Sequence, residues 1–201
     1  GRAQALPSAA LAEAMAAEWA GQGEEIDPAR FVLRDMADYA LDVVAGDPAD
    51  AWAQILPYGE TDTLCYRAEP GDALRREQDL MWEPLLADAE ARLGLRFERI
   101  GGIIHRPQPA DTRERLQAVL ATFDPFELVA LQTLTTLSAS LVIGLAALEA
   151  EADMAGLWTA ANLEEDWQAE RWGRDAEAQA RRERRHEAFL AAARFAALAR
   201  A

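Results

Sequence analysis

DPFELVALQTLTTLSASLVIGLAALE, from Asp124 to Glu149, decides the fold of this 201-residue chain. It opens on an aspartate followed by proline, the pairing of an N-cap with a residue suited to the first helical position. From that start the stretch reads as one long apolar helix running to about Glu149. Its most apolar part, Leu134 to Leu148, is interrupted by Thr135, Thr136, Ser138 and Ser140. It is also shorter than the roughly 20 residues that a membrane-spanning helix needs. The reading is therefore a helix buried in a protein core, with Ser138 and Ser140 allowing close packing of neighbours.

Outward from this helix the chain is helical in both directions. A helix from Asp111 to Phe123 precedes it. Another is expected from Ala152 to Trp172, and a last one from Arg174 to the end, either as separate helices or as one bent at Gly173. Nearer the start, Ser8 caps a helix to Ala20 whose apolar side carries Leu11, Met15 and Trp19. Asp27-Pro28 and Gly46-Asp47-Pro48 are further start signals. The first of these helices carries Phe31, Met36, Tyr39, Leu41 and Val44; the second ends near Leu56. Thr61 to Ala68 reads as a short strand, and Leu95 to Ile104, closed by Pro107 and Pro109, as the best strand candidate. Between them a helix from Leu74 to Leu93 should break or kink at Pro84, near Trp82. Trp19 and Trp82 are expected in the core. The fold class is α+β and predominantly α-helical. Residues 1–110 form a mixed helical region with short strands, and 111–201 a helical domain.

Composition narrows the partners. Twenty Lys and Arg stand against 35 Asp and Glu, a net charge of −15, and every basic side chain other than histidine is arginine. An acidic protein is a poor match for nucleic acid or an anionic membrane and a good one for basic patches on another protein. At 51 % hydrophobic the chain can bury a sizeable core. Cys65 stands alone, so no internal disulfide framework exists, and a reducing compartment fits.

The residues give little support to catalysis. The two histidines, His105 and His186, make no HxxxH or HExxH spacing, and no CxxC occurs, which argues against zinc. Glu183 precedes His186 by three residues but this occurs once, short of a ferritin-like site. No glycine-rich phosphate loop is present, so neither nucleotide nor other cofactor is expected. Ser138 and Ser140 lack a GxSxG elbow. A Cys65–His105 hydrolase is a poor reading that requires a depressed thiol pKa.

LEEDWQAERWG, Leu163 to Gly173, is the segment least suited to a core or to plain solvent. Leu163, Trp167 and Glu170 recur at i, i+4 and i+7 on one face; Glu164, Gln168 and Trp172 follow on the next. A core helix seldom aligns Glu170 with Leu163 and Trp167, and a solvated helix has no use for Trp172. The segment is built to contact a partner. Asp166, Glu170 and Trp172 are the binding residues inferred from this pattern. Trp167, sharing a face with Leu163, is expected in the core.

Taken in order, Glu18-Trp19, TDTLCYR (Thr61 to Arg67), WEPLL (Trp82 to Leu86), GIIHRPQP (Gly102 to Pro109), DPFELVAL (Asp124 to Leu131), TLSASLVIGLAAL (Thr136 to Leu148) and LEEDWQAERWG carry a resemblance. The chain resembles the ATP synthase assembly chaperones of alphaproteobacteria and mitochondria, which serve the α subunit of the soluble catalytic head. The likeness spans about Leu6 to Leu198. It departs at Glu83, where the family has aspartate, and at Ala139, where glycine is common. It also implies a β-rich segment before Pro7 that is here absent or reduced to Gly1 and Arg2. The resemblance implies a non-enzymatic protein that binds unassembled α subunit, keeps it from aggregating and releases it during assembly with β. It implies no nucleotide cycle and no membrane insertion. It places the protein in the bacterial cytoplasm, or in the mitochondrial matrix for eukaryotic relatives. It also marks Glu164 as a functional acid. The competing reading is a helical adaptor or scaffold for a different basic protein.

Overall fold

The central apolar stretch is largely buried, but as two helices. The computed structural model describes residues 4–102, 104–173 and 175–201. Gly1, Arg2, Ile103 and Arg174, on which sequence expectations touched, lie outside them. Helix α6 (Pro125–Ser138) begins with a full capping box, Asp124 accepting from the Glu127 amide and Glu127 from that of Asp124. Such a cap stabilises a helix by about 1 kcal/mol. Helix α7 (Leu141–Ala147) comes after a break at Ala139, whose φ of 51° is left-handed. Ser140 is the N-cap of α7, its hydroxyl accepting from the Ile143 amide at 3.1 Å. The expected single helix to Glu149 is thus corrected: a serine placed to cap ended one helix and started another. Ser138, by contrast, donates back to the Leu134 carbonyl at 2.8 Å. The hairpin is tight, because a Cβ on Gly144 would collide with Thr135.

Around this pair lie α1 (Ala9–Ala20), α2 (Val32–Asp42), α3 (Pro48–Glu60), α4 (Ala73–Leu93), α5 (Ala110–Leu120), α8 (Met154–Ala161), α9 (Leu163–Trp172) and α10 (Ala176–Arg200). Helix α6 packs against α2, α3, α7 and α10. One hydrophobic core draws on both halves of the chain, from Leu11, Leu33 and Ile55 to Leu134, Phe189 and Phe195. Trp82 is 1 % exposed, as expected of a core residue, whereas Trp19 is 51 % exposed, set against the buried Phe31 at 4.4 Å between ring centroids. The expectation for Trp19 is corrected: its helix ends at Gly21, so its ring covers Phe31 from outside.

The strand content is small. Strand β1 (Tyr66–Arg67) pairs in parallel with β2 (Ile100–Gly101), and these two dipeptides are the described sheet. Among the described residues of Leu95 to Ile104, strand pairing is confined to Ile100 and Gly101, while Leu95 and Phe97 are buried outside any strand. Thr61 to Ala68 opens as a short 3-10 turn before reaching β1. Helix α4 runs unbroken through Pro84. The proline sits on an exposed side of the helix, so the Leu80 carbonyl that loses its donor can be hydrated. The stretch from Ala152 to Trp172 is split into α8 and α9 at Asn162, and Gly173 (φ 88°) separates α9 from α10.

Candidate protein-binding surface

Helix α9 is fixed at its start and open at its end. Buried Leu163 anchors it, and three carboxylates, Glu164, Glu165 and Asp166, occupy its first turn, where the helix dipole favours negative charge. Glu164 is exposed but not loose. Its Oε1 accepts from Nε2 of Gln78 on α4 at 2.7 Å, while Oε1 of Gln78 accepts from the Ala68 amide at 2.8 Å. Gln78 is fully buried. One amide side chain thus couples α9 to the end of β1, and it aims Glu164 over a groove of about 590 Å³ lined by Tyr66, Glu69, Asp72 and Gln168.

Asp166 faces the other way. It takes a two-pronged ion pair from Arg182 of α10, one arm at 2.7 Å, and its hydrogen bonds raise the guanidinium pKa. Glu165 lies 3.7 Å from Arg185, whose Nη2 also donates to the Leu137 carbonyl at 2.7 Å. Trp158 of α8 stacks on His186 at 5.0 Å and lies 5.4 Å from Phe189. Arg182 and Arg185 therefore tie α10 to α9 and α6. Of the expected site residues, Asp166 serves this internal seam.

The C-terminal half of α9 is the open part. Trp167 is half-buried, with the Arg171 guanidinium 3.7 Å above its ring, so it stands at the margin of the core. Glu170 is exposed. Trp172 is 78 % exposed and forms the lip of a recess of about 280 Å³ between α9 and α10, shared with Glu165, Gly173 and Asp175. Glu164 and Trp172 lie on one stripe, two turns or about 12 Å apart along the axis. The four expected residues share one short helix, with Glu164 at the α4 end, Trp172 at the α10 end and Asp166 turned inward.

Sequence reasoning missed Gln78. A lone glutamine in a charged helix, 86 residues from its partner, carries no local signal. It also missed the cluster beneath β1. The side chain of Arg67 is 1 % exposed and bonds the Leu64 carbonyl, Asp79 and Glu83. Arg99 bonds Glu83 and Glu90, and its hydrogen bonds hold Glu83 below the usual carboxylate range. Cys65 is fully buried, and burial followed by the charge of Asp62 pushes its thiol far up, the reverse of a nucleophile. His105 engages the Tyr66 hydroxyl at 2.9 Å instead. Among the described residues no group of histidine, cysteine and carboxylate side chains is placed to hold a metal ion, and no helix is long and apolar enough to cross a membrane.

The geometry defines a helical protein with a two-dipeptide parallel ribbon, whose exposed chemistry is acid and indole on one short helix. Comparison with known proteins gives that class a family. The family model described as ATP12 chaperone protein matches residues 1–90. The fold is similar to the crystal structure of Atp12 from Paracoccus denitrificans, with TM-score 0.93 and 38 % identity over 98 % of this chain and 85 % of that one. A mutant of that protein with lysine in place of an aspartate gives the same values. The Atu1473 protein of Agrobacterium tumefaciens is similar at TM-score 0.91 and 35 % identity, over 97 % of this chain and 73 % of that one. The chain belongs to the ATP12 chaperone family.

Proposed function

We propose that this protein is an assembly chaperone for the α subunit of ATP synthase. It binds the unassembled subunit, prevents its aggregation and hands it on to the β subunit as the catalytic head forms. The observation that carries the reading is the exposure of Trp172 and Glu170, together with that of Glu164, on a helix held to α4 through the Glu164–Gln78 bond and to α10 through Asp166. A large indole kept in solvent is a feature of binding surfaces, where tryptophan is enriched among the residues that dominate affinity. A free α subunit presents surface that assembly later covers, apolar at its centre with charge around it. Trp172 would enter the apolar centre. Glu164, oriented by Gln78, would meet an arginine of the client, worth about 1–3 kcal/mol if desolvated and near zero if it stays wet. Binding and release of this kind use no catalytic step and no nucleotide. The site of action is the bacterial cytoplasm.

The test is aggregation of dilute, refolding α subunit with and without this protein, with β subunit as the matched control. Protection of α and not β is expected. Two variants refine it. Glu164→Gln keeps an acceptor for Gln78 and removes the charge, whereas Glu164→Lys removes both. Both are expected to weaken protection, the lysine more. Equal protection of α and β, or protection of neither, would replace the α-subunit reading with that of a general adaptor.

A further inference from the structure

Helices α4 and α8 enclose a second groove, of about 350 Å³, at a place that the α9 surface does not use. Its floor is Leu85, Leu157 and Ala160, and its α4 wall is Met81 and Pro84. Leu80 stands one turn before Pro84 and is 73 % exposed, so the apolar strip continues along α4 beyond the groove. The walls are locked together. Nε1 of the buried Trp82 donates to the Ala160 carbonyl at 2.9 Å, which fixes α4 against α8. The groove is thus formed before any partner arrives, and ordering it consumes no affinity.

Its rim is acidic. Among the described residues that line it, Asp88, Glu149 and Asp153 stand against one cation, Arg92. Arg92 is already committed to Asp88 at 2.7 Å and Glu149 at 2.6 Å. Asp153 caps α8 by accepting from the Gly156 amide at 3.0 Å. An apolar floor between two helices with a net negative rim matches the helix-in-groove mode of recognition, and matches one charge sign of occupant.

We propose that this groove docks an amphipathic helical segment of the client whose apolar face is flanked by arginine or lysine. The apolar side chains fill the floor over Leu85 and Leu157, and the flanking cations meet Glu149 and Asp153. A segment flanked by acids is repelled. That the α subunit supplies the segment rests on the function proposed above; the chemistry of the segment does not.

The probe is a fluorescently labelled peptide with leucines on one helical face and flanking arginines, compared with a twin in which glutamate replaces each arginine. Binding to the full chain is followed by anisotropy. Two surface variants accompany it, both expected to melt as the parent does. Leu80→Ser removes the apolar side chain from the exposed strip without adding charge. The pair Glu149→Gln and Asp153→Ser removes two charges while leaving an acceptor for Arg92 and a cap for α8. The arginine peptide is expected to bind and the glutamate twin not to. Each variant should weaken binding by about tenfold or more, and the charge pair should also flatten its salt dependence. Equal binding of the two peptides, indifference to both variants, or no binding of the arginine peptide overturns the proposal. Refolding α subunit separates the two readings. If the parent protein fails to protect α while the peptide behaves as expected, the client identity falls and the groove stands. If the parent and both groove variants protect α equally, the groove has no part in client binding.

Discussion

TDTLCYR at residues 61–67 and LEEDWQAERWG at 163–173 both carry the family resemblance, yet the structure uses them in opposite ways. In the first, Asp62, Leu64, Cys65 and Arg67 are buried, and each polar side chain of the four has a named partner. Asp62 accepts from the amides of Leu64 and Val142, joining this segment to the start of α7, and Thr63 bonds the Ala139 carbonyl at 2.9 Å. In the second, Glu164, Glu170 and Trp172 are exposed. A motif can mark a family because it holds the fold or because it meets a partner, and burial with satisfied polar groups tells the two apart.

The largest effect should come from Arg67. Removing one partner of a buried ion pair costs about 3–5 kcal/mol. Asp79 and Glu83 are each about half exposed at their side chains and can rehydrate, so Arg67→Met should fall at the low end, about 3 kcal/mol, in urea denaturation. A loss below about 1 kcal/mol would break the contrast between the motifs.

Asp62 gives a pH signature of nearly the same size. Burial lifts its carboxyl from the ordinary 3.8 to about 6, against the lowering effect of its hydrogen bonds. The folded state holds this proton more tightly than the unfolded chain does. The contribution is therefore complete below pH 3.8 and is lost as pH rises through about 6, in all about 3 kcal/mol. Stability measured by denaturant titration from pH 4 to 7 should decline in the parent and stay flatter in Asp62→Asn.

Gln78 is where the two regions meet. Gln78→Leu strands the Ala68 amide and releases Glu164, with an expected cost of about 1–2 kcal/mol. The same variant should weaken α-subunit protection, because Glu164 loses its orientation. Smallest in stability is Trp172→Ala, within about 0.5 kcal/mol of the parent in thermal melts, since the indole packs little.

Much of this was legible in the sequence. The caps at Ser8, Asp124 and Pro125, the central apolar stretch and the odd mixture of acid and indole near the C-terminus are local patterns, and the structure contains helices where they predict them. The break at Ala139 was less so, because Ser140 reads equally well as a packing residue and as an N-cap. The unpaired state of Leu95 to Phe97 was hidden by alternation, which predicts one-sided burial but not a neighbouring strand. Of the break or kink expected at Pro84, the break did not occur, because the effect of a proline depends on which side of α4 faces water. Glu164, Glu170 and Trp172 were visible as unusual on a helix. The inward turn of Asp166 was not, since Arg182 lies 16 residues along in another helix.

The decisive measurement is protection of refolding ATP synthase α subunit by Trp172→Ala, with Arg67→Met at a temperature where it remains folded as the comparison. Client binding through α9 predicts that Trp172→Ala melts like the parent and protects α poorly, while folded Arg67→Met protects it well. Full protection by Trp172→Ala, or loss of protection that tracks stability alone in both variants, would contradict it.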